Sequence, residues 1–171
     1  MSKVLDYVYA SEVINNYRES IKARSEKNDC FVRAVASASG SSYDAAHSYV
    51  KDTFGRQERQ GTRFIDSTML KIEGLLQEFG QVKVKFEKLP KNKIKNTYKL
   101  HGELIDRQKT VKSFIKSNPK GTFIVLVSKH AFTIKDGVLV DNQGEEFRPT
   151  RKVQSAYKVI EETIDPQLKL F

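Results

Sequence analysis

An α+β domain is the fold class this sequence predicts, and two observations predict it. The first half of its 171 residues carries apolar side chains at helical spacing between capping signals, and the second half carries alternating strands and turn chemistry. No internal repeat or low-complexity block interrupts that division, so residues 1–164 are expected to form one domain of N-terminal helices, with a central helix packed on a C-terminal antiparallel sheet.

The elements follow in order. Val13, Ile14 and Tyr17 predict a short amphipathic helix near 10–22. Asp29 is placed to cap a helix running through Ser39, which Gly40 ends, with Phe31, Ala34, Val35 and Ala38 on its buried face. Ser42 caps a second such helix, closed by Gly55, and a polar loop spans 56–63. Met69, Ile72, Leu75, Leu76 and Phe79 predict a helix over 67–79 that Gly80 stops. Val82, Val84 and Phe86 alternate with lysines as in a half-buried strand, and a lysine-rich loop covers 88–99. A short helix over 110–117 breaks at Asn118-Pro119-Lys120-Gly121. Two strands flank the Asp136-Gly137 turn, the first begun by His130 and the second ended by Asp141, and a last strand is expected over 155–160.

Composition narrows the function classes. One cysteine forms no internal disulfide, and the longest apolar run, Phe123 to Val127, is too short to span a bilayer. A polar N-terminus without a secretory signal then predicts a cytoplasmic protein with no membrane contact. His47, His101 and His130 are scattered outside any metal-ligand spacing, so neither metal nor cofactor is implied, and His47 and His101 are expected to be ordinary surface or edge residues. The net charge of +9 allows contact with nucleic acid or acidic protein. Seven lysines between Lys83 and Lys99, near Phe86 and Tyr98, suit either a nucleic-acid backbone or a solvated edge strand, and the edge strand is favoured.

Cys30 carries the candidate chemistry. It falls in the first turn of its predicted helix, where unpaired backbone N–H groups supply roughly half a positive charge and lower a thiol below its free value of about 8.5. His130 is the candidate base, and Asp141, or Asn142 beside it, the group that holds the imidazole. Backbone amides of the Cys30 helix would help stabilise an oxyanion. Arg33, one turn after Cys30, is expected in a structural ion pair. The competing account is a buried structural cysteine and an incidental strand histidine.

The run Asp29-Cys30-Phe-Val-Arg33-Ala34, with Gly40 before the next helix, resembles a family of small phage and plasmid papain-like cysteine peptidases. The resemblance extends to Gly61-Thr62, to Val127-Ser128-Lys129-His130 and to Asp136-Gly137-Val138 with Asp141, and covers roughly residues 28–145. It implies a papain-like fold, with Cys30 as nucleophile, His130 as base and Asp141 as orienting residue, acting on a peptide, an isopeptide or another amide, with a protein substrate or a host protein as partner. Such enzymes usually place a Gln six residues before the nucleophile for the oxyanion hole. Arg24 stands there, which makes Asn28 the candidate substitute.

Residues 165–171 form a separate tail. Gln167-Leu168-Lys169-Leu170-Phe171 resembles the peptide by which bacterial proteins bind the DNA polymerase sliding clamp, with Gln167 as hydrogen-bonding anchor and Leu168, Leu170 and Phe171 as apolar anchors. The alternative occupant of that peptide is its own domain. A catalytically inactive papain-like scaffold that binds or inhibits a host protein such as the clamp is the second functional expectation.

Overall fold

The computed structural model describes residues 5–162. The tail with Gln167, Leu168, Leu170 and Phe171, and the last residues of the expected 1–164 domain, lie outside the described residues. In chain order the elements are β1 (Tyr7–Val8), α1 (Ala10–Val13), α2 (Ile21–Ser25), α3 (Cys30–Ser39), α4 (Tyr43–Phe54), α5 (Ile65–Ile72), β2 (Gln77–Phe79), β3 (Val82–Lys88), α6 (Lys91–Ile94), β4 (Lys95–Leu100), β5 (Glu103–Gln108), α7 (Val111–Ser117), β6 (Thr122–Val127), β7 (His130–Lys135), β8 (Val138–Val140) and β9 (Ser155–Glu161). The architecture is α+β. A seven-stranded sheet runs in the order β1-β8-β7-β6-β9-β3-β2, antiparallel except where β1 pairs β8 in parallel.

Both faces of this sheet are buried at β6, which accounts for the unbroken apolar run there. Ile124 and Leu126 join one cluster with α3 and α4, while Phe123, Val125 and Val127 join another with Val111 and Phe114 of α7. The central helix is α3, buried on nearly every side through Phe31, Val32, Ala34, Val35, Ala36 and Ala38. Its three small alanines permit close approach to β7, and the Thr133 hydroxyl donates to the Ala34 carbonyl at 2.8 Å, fixing helix against sheet.

Four expectations are corrected. The helix expected over 10–22 is two short helices, because Ile14 is extended, Asn15 bridges Ser42 and Asn16 takes a left-handed φ of 59°. The second then starts at the Ser20 cap, whose hydroxyl accepts from the Ala23 N–H at 3.0 Å. The helix expected over 67–79 ends at Ile72. Gly74 turns left-handed at φ 73°, its N–H donates to the Phe86 carbonyl, and the chain returns as edge strand β2 with Phe79 in the core. The lysine-bearing strand β3 is therefore not the free edge, since β2 covers one side and β9 the other. The loop expected over 88–99 contains α6 and β4, and β4 with β5 forms a separate hairpin whose turn is His101-Gly102. That hairpin leaves Tyr98 and Leu104 exposed, so its strands lack the buried face on which a strand signature depends.

Among the described residues no helix is long and apolar enough to cross a membrane, and no group of three or more His, Cys, Asp or Glu side chains could hold a metal ion.

Candidate active site

Cys30 opens α3 after Asn28, which is left-handed at φ 54°, and Asp29. Asp29 occupies the cap position but makes no side-chain cap hydrogen bond. Its carboxylate instead accepts from the Tyr43 hydroxyl at 2.7 Å and pairs with Arg33 one turn along α3. The first-turn N–H groups are thus left without a capping side chain, beside a half-buried thiol.

His130 is the first residue of β7, entered through left-handed Lys129, and its ring stacks on Phe132 with centroids 5.8 Å apart. Asp141 directly follows β8. Strand β1 pins it there, since the Asp141 N–H donates to the Val8 carbonyl and the Ala10 N–H donates to the Asp141 carbonyl. The buried Asp141 carboxylate takes His130 Nε2 at 2.7 Å on one oxygen and the Asn142 N–H at 2.8 Å on the other. With Nε2 committed to Asp141, Nδ1 is the ring nitrogen that meets the Cys30 thiol.

The electrostatics follow from those contacts. Burial works to raise the Cys30 thiol, but hydrogen bonds from His130 and the Ala131 N–H, with the charges of His130 and Arg33, outweigh it and lower the thiol below its ordinary value. Burial likewise opposes a charged imidazole, yet hydrogen bonds to Asp141 and Cys30 overcome it and push His130 up to about 9. A thiol moved down and an imidazole moved up both favour passage of the thiol proton to His130, the direction a thiolate–imidazolium pair requires.

Two clefts meet at this pair. One, of about 600 Å³, has apolar walls that include Phe31, Phe64, Ile65, Leu126 and Val127. The other, of about 570 Å³, is polar, with Asn28, Arg33, Asn142 and Gln143 beside Cys30 and His130. Gly61 and Lys129 border both. Any extended chain crossing Cys30 would therefore pass from an apolar to a polar surface.

The remaining predicted residues divide. Asn28 lies on the polar cleft, where its side-chain amide donates to the Arg59 carbonyl at 3.3 Å and retains a second N–H. Asn142 does not hold the imidazole with its side chain, whose oxygen accepts from the Ser11 N–H at 3.1 Å, and only its backbone supports Asp141. Arg24 is exposed and donates to the Arg18 carbonyl. His101 is exposed in its turn, whereas His47 is not the surface residue expected. It is buried at 5 % exposure, with Nε2 3.2 Å from the Glu26 carboxylate beside Arg56.

Sequence reasoning missed the Ala131 N–H, a backbone donor that no residue type announces, and the Glu26-His47-Arg56 cluster, whose members lie 21 and 9 residues apart. Only the Gly61-Thr62 pair hinted that the 56–63 loop borders the cleft. No family model, curated protein or solved structure matches this chain.

Proposed function

We propose that this chain is a papain-like cysteine peptidase, or a related amide hydrolase, that acts through Cys30, His130 and Asp141. The observation that carries the reading is that Cys30 and His130 lie side by side where two clefts converge, with His130 hydrogen-bonded to the buried Asp141. A helix bearing the cysteine in its first turn, pressed on an antiparallel sheet bearing the histidine, supports the papain-like description.

The chemistry is acyl transfer. The Cys30 thiolate attacks the amide carbonyl and forms a C–S bond, and negative charge moves to the carbonyl oxygen. Backbone N–H groups at the start of α3 and the free N–H of Asn28 are the donors available to that oxygen. As the C–N bond breaks, imidazolium His130 gives its proton to the leaving nitrogen. Neutral His130 then takes a proton from water, whose oxygen attacks the thioester, and the carboxylic acid leaves as Cys30 is restored. Asp141 keeps Nε2–H donated throughout and offsets the imidazolium charge.

The test is the rate of Cys30 alkylation by iodoacetamide across pH. In the wild type the rate rises with an inflection well below the free-thiol value of about 8.5, and in His130→Ala that inflection disappears. An ordinary inflection shared by both proteins would remove the enzyme reading. The tail Gln167-Leu168-Lys169-Leu170-Phe171 is proposed to tether the domain to a bacterial sliding clamp. Deleting 167–171 is expected to abolish capture on immobilised clamp while leaving Cys30 alkylation unchanged.

A further inference from the structure

The Glu26 carboxylate gathers three partners from a different part of the chain. It pairs with Arg56, lies 3.2 Å from His47 Nε2 and accepts the Arg59 N–H at 3.1 Å. Its side chain is only 4 % exposed and that of Arg56 only 2 %. Arg56 in turn donates to the Lys27 carbonyl at 3.1 Å, and the Asn28 side chain donates to the Arg59 carbonyl. Residues 26–28 are thus fastened to residues 56–59 by several bonds through both side chains and backbone.

The place of these bonds matters. Residues 26–28 run directly into Cys30, and residues 56–59 run directly into Gly61, which borders both clefts. Between Phe54 and Ile65 the chain has no helix or strand, so no ladder of backbone hydrogen bonds holds that wall. A buried ion pair leaves two charges desolvated and often adds no net stability over an apolar replacement, so what this pair contributes is sought in the geometry it fixes.

We infer that Glu26 and Arg56 are positioning residues that fix the distance between Cys30 and the Gly61-Thr62 wall, and so determine how an extended amide substrate is held at the thiol. The inference rests on the amide-hydrolase reading. It predicts that loosening the clamp weakens recognition and leaves the reactivity of the thiol alone, because His130 and Ala131 belong to β7 and Asp141 is held at the end of β8.

The experiment uses a phenylalanyl dipeptide chloromethyl ketone, which labels Cys30 and reports saturable binding separately from the bond-forming step, with iodoacetamide as a small reagent that needs no wall. Glu26→Gln alone strands the buried Arg56 charge, so the variant of choice is Glu26→Gln with Arg56→Met, which removes both charges at similar volume. Arg56→Lys, which keeps the charge but loses the planar fork that reaches both Glu26 and the Lys27 carbonyl, is the second variant, and weaker binding is expected there too. In the double variant the inactivation constant for binding is expected to rise about tenfold, while the limiting inactivation rate and the iodoacetamide pH profile stay within about twofold. Unchanged binding in a folded double variant would overturn the inference, as would labelling of the wild type that never saturates. A shifted iodoacetamide inflection would overturn it too, because the cluster would then act on the thiol. A wild-type iodoacetamide profile without the His130-dependent inflection would instead strike the hydrolase reading, which separates the two failures.

Discussion

Asp141→Asn is expected to lower amide turnover by about 10²- to 10⁴-fold without unfolding the protein. The Asp141 carboxylate fixes Nε2–H as the donor it receives, which leaves Nδ1 to exchange the proton with Cys30. An asparagine of the same shape can present its NH₂ group instead of its oxygen, which favours the wrong tautomer, and it carries no charge to offset the imidazolium. His130 then falls from about 9 towards the ordinary imidazole value of about 6.5, and the thiol rises as its cationic partner weakens. The sign is definite. A lower thiol and a higher imidazole both favour the ion pair, so a rise in the first and a fall in the second both work against it. Iodoacetamide alkylation near pH 6.5 should slow about tenfold for each unit the thiol rises. The alkaline limb of any turnover profile should move down from about 9. Asn142→Ala is the control, because its side chain serves Ser11, and it should change the alkylation rate by less than about threefold. An alkaline limb that stays near 9 in Asp141→Asn would remove the orienting role.

How much of this arrangement the sequence discloses depends on the kind of signal. Helices α3 and α4 are legible because each has a residue at the cap position and a left-handed glycine after its last turn, Gly40 at φ 78° and Gly55 at φ 69°. The β7–β8 hairpin is legible because Asp136-Gly137 adopts the pair of positive φ values, 47° and 79°, that its composition favours. Cys30 and His130 come from those same elements, so their meeting follows once α3 is laid on β7. The boundary of α5 is not legible. Leu75, Leu76 and Phe79 continue its helical period, but Leu75 and Leu76 are exposed and Phe79 is buried from a strand. Periodicity cannot distinguish those outcomes, since the pairing of β2 with β3 is decided by tertiary contacts. Strand β1 is two residues long and pairs in parallel with β8, and it is too short to carry any pattern. The same limit hides the anchoring of Asp141, which depends on the Val8 and Ala10 backbone rather than on side-chain identity. The Asp29 cap is legible in position but not in its bonding. Its residue type suits the position, but a carboxylate beside Arg33 and Tyr43 finds stronger donors than a helical N–H.

Asp29→Ala should be the most destabilising single change near the site, costing about 3 kcal/mol or more in urea unfolding. The carboxylate is buried, and it serves the Tyr43 hydroxyl, itself 0 % exposed, together with the Arg33 guanidinium. Burial and the neighbouring carboxylate drive the Tyr43 phenol far above its ordinary range, so it stays a donor at every accessible pH and is stranded when its acceptor goes. Arg33 already has a buried Nε without a hydrogen-bond partner, and losing Asp29 leaves its charge uncompensated as well. Tyr43→Phe removes only the donor and should cost about 1 to 2 kcal/mol, and Asp29→Asn, which keeps an acceptor, should fall between the two. Reactivity should not follow stability. The Arg33 charge already helps to lower the Cys30 thiol, and freed of Asp29 it lowers the thiol further, so the alkylation inflection of folded Asp29→Ala should stay or move down. A variant that unfolds more readily yet alkylates at lower pH separates the two duties of this stretch. Asp29 holds α3 to α4, while the thiolate is sustained from the sheet side by His130 and the Ala131 N–H. An inflection that rises instead would mean that Asp29 supports the thiolate itself.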